Sequence, residues 1–281
     1  MGTGNPFEGF QRKSNYLVCI DSDGCVMDTM NIKHMECFGP CMVKEWSFEQ
    51  YEDDILSQWN QINLYSKTRG INRFKGLLLA LEEIDRVYHS VVDLESLHKW
   101  VNNTSVLSNM SLNKEIEKTD SICLKKAFAW SLAVNLSIQK IPQEKIMPFK
   151  GAKEGIMLAH RDCDVAIVSS ANQEAVIEEW TKHELINDVD ILLSQSAGTK
   201  AYCIKKLLEC GYKKEHVMMI GDAPGDMDAA NENNIYFYPI LEGKEEQSWA
   251  ELEIALRHLI NGTLTENIQK QLFDKFLSNL E

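Results

Sequence analysis

The sequence predicts an α/β fold: a parallel sheet layered between helices, with an all-helical domain inserted after the first strand. Three observations carry this. From about residue 148 onward, short apolar runs alternate with helix-like stretches. One further apolar run, Tyr16-Leu17-Val18-Cys19-Ile20, stands far upstream of the rest. The long segment between, residues 30–147, holds helical stretches and no strand pattern. Strands buried on both faces of a parallel sheet read as continuous apolar runs, and alternation with helices is what covers those faces.

Taken in order, Tyr16 to Ile20 is a strand, charge-free and rich in strand formers. In the insertion, Phe48 to Tyr65, Phe74 to Tyr88, Leu94 to Val101 and Lys114 to Ile138 are helical, separated by polar breaks such as NNTSVLSNMSLN. Gly39-Pro40 is expected to interrupt any helix around it. Lys153 to His160 is a helix, and Asp164 to Val168 a buried strand ending in Ser169-Ser170. Gln173 to Lys182 presents Val176, Ile177 and Trp180 on one helical face. Val189 to Leu193 is a strand, and Ala201 to Glu209 a helix burying Ile204, Leu207 and Leu208. Val217 to Ile220 is a strand ending in Gly221-Asp222, and Ile235 to Tyr238 is the last strand. Two helices are expected from Glu245 onward. The domains are therefore 1–29 with 148–281 and, inserted between them, 30–147.

Bulk properties bound the function. At 281 residues, 44% hydrophobic and 25% charged, the composition is that of a globular protein. No stretch approaches the roughly 18 apolar residues of a membrane span, and MGTGNPFEGFQRKSNY lacks the apolar core of a signal peptide. A cytoplasmic location and no membrane partner are the expectations. The eight cysteines form no CxxC pair and are read as reduced thiols, most of them core packing. A net charge of −13 without a basic stripe argues against nucleic acid. It leaves room for an anionic substrate, because a metal ion and a few cations can reverse the local field.

The strand ends carry the chemistry. In open parallel sheets, ligands bind at the carboxyl ends of the strands. Those ends hold Asp21 and Asp23, then Ser169, then Gly221-Asp222 with Asp226 four residues on, while Lys200 opens the helix after the third core strand. Any one of these residues would serve as a helix cap, but such groups at successive strand ends form a constellation. Asp21 and Asp23 repel one another unless a cation or proton sits between them. With Asp222 they offer hard oxygen ligands suited to Mg²⁺, which binds one or two carboxylates plus a substrate phosphate. Ser169 and Lys200 supply a hydroxyl and an ammonium for phosphate oxygens. A carboxylate can attack phosphorus to give an aspartyl-phosphate, and Asp23 can serve as general acid, then base.

These motifs resemble those of the haloacid dehalogenase-like phosphohydrolases along essentially the whole chain. The pattern DxDGxxxDT is met by Asp21-Ser22-Asp23-Gly24 through Asp28-Thr29, the strand ending in Ser by VAIVSS at Ser169, the lysine by Lys200, and the acidic pair by MIGDAPGDMD at Asp222 and Asp226. The resemblance implies a Rossmann-like three-layer core and a helical cap that selects the substrate. It implies Asp21 as nucleophile and Asp23 as acid/base, with Mg²⁺ bound by Asp21, Asp23 (through its carbonyl), Asp222 and Asp226. The stretch KTRGINRFKG resembles a cap loop of β-phosphoglucomutase-like members, which implies Arg73 and Arg69 as substrate contacts; Thr29 and Ser170, beside the core motifs, are further candidates for substrate contact. Against the cap-loop reading stands a plain basic helix start, although cations there oppose the helix dipole.

The implied activity is a Mg²⁺-dependent phosphatase acting on a small phosphorylated metabolite. Asp23 argues against the dehalogenase and phosphonate-cleaving branches, the latter despite Lys125 and Lys126 in the insertion. A hexose-phosphate mutase is the alternative, although related mutases place a histidine where this chain has Lys33, one residue before His34. A silent phosphate-binding regulatory protein is a third reading, for which the motif set shows no damage.

Overall fold

A computed structural model describes residues 5–280; residues 1–4, part of the stretch read for targeting signals, and residue 281 lie outside them. The chain forms two compact units, Met1–Thr29 with Glu144–Glu281, and Met30–Gln143. The second boundary falls slightly ahead of Pro148, where the sequence placed it.

The discontinuous unit opens with β1 (Tyr16–Ile20). The helical unit then runs through α1 (Met30–Lys33), a π turn over His34–Phe38, α2 (Gly39–Trp46), α3 (Glu52–Asn60) and a second π turn over Gln61–Tyr65. It continues through α4 (Arg73–Tyr88), α5 (Leu94–Asn103), α6 (Asn109–Thr119) and α7 (Ile122–Ile138). The first unit resumes with α8 (Ala152–His160), β2 (Cys163–Val168), α9 (Gln173–Lys182) and β3 (Ile191–Leu193). It closes with α10 (Lys200–Leu208), β4 (Val217–Gly221), α11 (Pro224–Asn233), β5 (Tyr236–Pro239), α12 (Glu245–Ile260) and α13 (Glu266–Leu277).

The five strands form one parallel sheet in the order β3-β2-β1-β4-β5. This is the predicted α/β class. Leu17, Cys19, Val217 and Met219 turn to one face, where Ile204, Leu207, Ala229 and Phe276 cover them. Val18, Ile20, Met218 and Ile220, the alternate residues, are buried on the other. Burial on both faces explains why the strands read as unbroken apolar runs. The strand order reverses between β1 and β4, so the point where an open sheet binds ligands lies at the ends of those two strands.

The helical unit has its own core, built on Trp59, Phe74, Leu77, Leu81, Leu97 and Trp130. Two expectations need correction here. Gly39-Pro40 does not stop the helical path. The Gly39 N–H reaches five residues back to the His34 carbonyl, so a π turn precedes α2. Pro40 thereby falls in the first turn of α2, where a missing donor costs nothing. Conversely, Lys114 to Ile138 is two helices, parted by Asp120 in the left-handed region (φ 54°). Ser121 then caps α7 by accepting from the Leu124 N–H at 3.2 Å.

All eight cysteines are free thiols, and six of them are buried. No helix among the described residues is long and apolar enough to cross a membrane.

Candidate active site

The end of β1 carries Asp21, whose N–H extends the ladder by donating to the Ile220 carbonyl of β4 at 3.0 Å. The chain then turns sharply. The Ser22 carbonyl accepts from the N–H groups of both Val26 and Met27 at 2.9 Å, and the Gly24 N–H donates to the Met27 carbonyl. Beside it, β4 ends in Gly221, followed by Asp222. Asp226 lies in the first turn of α11, and its Oδ2 accepts from the Ala223 N–H at 3.1 Å. Gly221 is required by this packing: a Cβ there would lie 2.3 Å from the Asp226 carboxylate.

Asp21, Asp222 and Asp226 converge, each placing a carboxylate oxygen within 4.8 Å of the others, and all three are buried. Lys200 lies against them, its Nζ 2.8 Å from Asp21 Oδ2 and 2.5 Å from Asp226 Oδ1. It is the first residue of α10, after the Thr199 cap. A cation at a helix N-terminus is disfavoured by the dipole, and the two carboxylates offset that.

Three carboxylates and one ammonium leave the cluster short of positive charge, and the titration of Asp21, Asp226 and Lys200 reflects it. Asp21 is pushed up to about 6, first by burial and then by Asp226, against the opposing pull of Lys200. Asp226 is raised too, by burial and by Asp222, again against Lys200. Lys200 suffers from burial, but Asp21 and Asp226 more than reverse this and hold its ammonium above the ordinary lysine range. An all-oxygen buried donor set with surplus negative charge fits a hard dication such as Mg²⁺. The Asp23 side chain is not in the triad. Its Oδ1 accepts from the Thr29 hydroxyl at 2.6 Å.

Ser169, buried after β2, donates its N–H to the Leu193 carbonyl, and its hydroxyl oxygen accepts from the Ala171 N–H at 3.1 Å. Ser170 is exposed. In the helical unit, Arg69 is fully buried and donates to the Leu64 carbonyl at 2.8 Å. Arg73 is not a freely solvated helix start. Its guanidinium stacks over the Phe38 ring at 5.2 Å and donates to Asn135 Oδ1 at 2.8 Å and Ser131 Oγ at 3.3 Å. These partners are neutral, and burial pulls its pKa down. His34 accepts from the Trp59 indole N–H at 3.2 Å and stacks on Phe38. Lys125 pairs with Asp120, and Lys126 donates to the Glu45 carbonyl.

Two residues that the sequence analysis did not offer as site residues meet the loop after β1. Trp180 Nε1 donates to Ser22 Oγ, and Trp249 Nε1 to the Cys25 carbonyl. Nothing local in the sequence signals either bond.

The family model described as haloacid dehalogenase-like hydrolase matches residues 71–240. The chain belongs to that family. The matched stretch includes Ser169, Lys200, Asp222 and Asp226 and begins after Asp21 and Asp23; of these two, Asp21 meets Asp222 and Asp226 through its carboxylate. As a haloacid dehalogenase-like hydrolase, the chain is an enzyme. No curated protein matches it.

Among solved structures it is similar to a haloacid dehalogenase-like family hydrolase from Xanthomonas campestris, at 14% identity over 91% of this chain and 95% of that one, TM-score 0.47. It is similar also to a haloacid dehalogenase-like family hydrolase from Streptococcus pneumoniae, at 13% identity over 80% and 83%, TM-score 0.47. A predicted phosphatase from Clostridium acetobutylicum aligns at 14% identity over 81% and 85%, TM-score 0.44.

Proposed function

We propose that the protein is a Mg²⁺-dependent phosphatase that hydrolyses a small phosphomonoester through an aspartyl-phosphate on Asp21. The observation that carries this reading is the buried Asp21–Asp222–Asp226 triad with Lys200 bridging two of its members at the switch point of the sheet. Asp21 is the group best placed to attack, at the end of the central strand and held by Lys200. Asp222 and Asp226, with Asp21, would hold the metal, and Asp23 would contribute its carbonyl. The dication supplies charge neutralisation where the phosphoryl group meets these carboxylates.

The remaining roles fall to the chain's own groups. Lys200 fixes the orientation of the Asp21 carboxylate and neutralises charge that builds up on phosphoryl oxygens. Ser169 offers a hydroxyl to the same oxygens. Asp23 gives a proton to the leaving alcohol and then takes one from the attacking water; such help is worth roughly 10²–10⁴ in rate. The Thr29 hydroxyl orients the Asp23 carboxyl. Thr29, Ser170 and Arg69 are further candidates for substrate contact. Arg73, a desolvated cation with neutral partners, would take an anionic or hydroxylated part of the substrate.

The test is phosphate release from a panel of small phosphomonoesters with and without Mg²⁺. Metal-dependent release that Asp21→Asn abolishes is the expected result. Arg73→Ala should raise KM for the preferred substrate several-fold more than for an aryl phosphate. Release that persists in Asp21→Asn, or that ignores Mg²⁺, would contradict the reading. Silence across the panel with phosphoryl exchange between hexose phosphates would replace it with a mutase.

A further inference from the structure

We propose that Trp180 and Trp249 are positioning residues for the nucleophile loop, two indole N–H groups that fix the stretch carrying Asp23 against the helix layer. The proposal rests on the phosphatase reading for what the loop does, and on geometry alone for what the indoles do.

The loop's internal bonds, Val26 and Met27 N–H to the Ser22 carbonyl and Gly24 N–H to the Met27 carbonyl, fix its shape. Its two ends are tied by backbone. Asp21 donates to Ile220, while Asp28 donates to the Met147 carbonyl and Phe149 to that of Val26, both at 2.8 Å. The stretch 22–25 between these ends meets the indoles. Trp180, from α9, donates to the hydroxyl oxygen of Ser22, the residue between the two aspartates, at 2.9 Å. Trp249, from α12, donates to the Cys25 carbonyl, two residues after Asp23, at 3.0 Å. All four residues are buried, Ser22, Cys25 and Trp180 completely.

Packing holds the donors in turn. The Trp249 ring lies on Gly155 of α8 so closely that a Cβ there would stand 2.5 Å from it. A buried indole must place its N–H on an acceptor, and phenylalanine would fill most of the same apolar space without one. What tryptophan adds at both positions is therefore a directed bond, and both bonds land on one four-residue stretch. Misplacing a reacting group by about 1 Å costs on the order of 10²-fold in rate, so two rigid anchors beside Asp23 have a direct use.

The experiment compares wild type, Trp180→Phe, Ser22→Ala, the double variant and Trp249→Phe. Three readouts are taken: kcat and KM at a temperature where every variant is folded, thermal midpoint, and amide exchange of the peptide spanning 17–29. Each single substitution should lower kcat roughly ten- to hundredfold, leave KM within about twofold, and speed exchange at the Gly24, Val26 and Met27 amides. Ser22→Ala should cost little more once Trp180→Phe is present, because the two share one bond.

If each kcat instead tracks the thermal midpoint and Ser22→Ala costs the same in both backgrounds, the indoles are core packing and the proposal fails. A wild type without phosphatase activity would sink the phosphatase reading. The exchange data would then decide the anchoring, with unchanged loop exchange in Trp180→Phe and Trp249→Phe overturning it.

Discussion

Asp21 sits under two opposed influences. Burial and the neighbouring Asp226 favour its neutral form, and Lys200 favours its charged form; the first pair prevails and raises it to about 6. The sign of the consequence follows. The unfolded chain loses this proton near roughly pH 3.9, so the folded, metal-free protein holds it over a range where the unfolded chain does not. Its contribution to stability is full below the unfolded value and fades as pH rises through about 6. Mg²⁺ binding should therefore release a proton at pH values near or below 6 and little at pH 8, read by calorimetry in two buffers of different ionisation enthalpy. Equal, negligible release at both would show that Asp21 is ionised before the metal arrives.

At this scale much of the site was legible. Asp21, Asp23, Ser169, Lys200, Asp222 and Asp226 each stand beside the end of an apolar run or the start of a helix, so a local pattern locates them. Trp180 and Ser22 are 158 positions apart, and Trp249 and Cys25 224. Only the fold brings them together, and no spacing rule reaches that far.

Among the elements, the strands of the core and the helices α8, α9, α10, α12 and α13 followed from the sequence pattern, because a two-faced strand and an amphipathic helix leave different periods. The insertion was read less well, for physical reasons. The π turn before α2 absorbs Gly39-Pro40, a pair that in isolation signals a stop. The break at Asp120-Ser121 depends on short polar side chains outcompeting the helix, inside a stretch whose apolar content suggests continuity.

Ser121 also carries a testable load. It caps α7 and its hydroxyl donates to Asp93, which also accepts from Ser96 Oγ at 2.5 Å beside the start of α5. Those two side-chain bonds hold the Asp93 carboxyl below its usual range. Ser121→Ala should cost about 1–2 kcal/mol, measured as a lowered urea midpoint with little change in slope. A midpoint unchanged within error would mean that Asp93 and water replace the cap.

Across the whole molecule, one sheet order does the assembling. Placing β1 at the centre, with β4 beside it, brings residue 21 next to residue 222 although some two hundred residues separate them. The insertion of Met30–Gln143 with its own core leaves that arrangement intact, because it enters and leaves by the connection after β1. The sequence could announce that helices were inserted there; which of their side chains serve the chemistry is a matter of tertiary placement. The proposed phosphatase chemistry requires Asp21 to become covalently phosphorylated.

The measurement that tests this most directly is acid quenching during turnover with Mg²⁺ and a phosphomonoester, followed by peptide mass analysis. The expected result is that the peptide spanning β1 and the following turn gains one phosphoryl group, labile to hydroxylamine and absent in Asp21→Asn. A phosphoryl group found on another residue, or turnover that continues in Asp21→Asn, would contradict it.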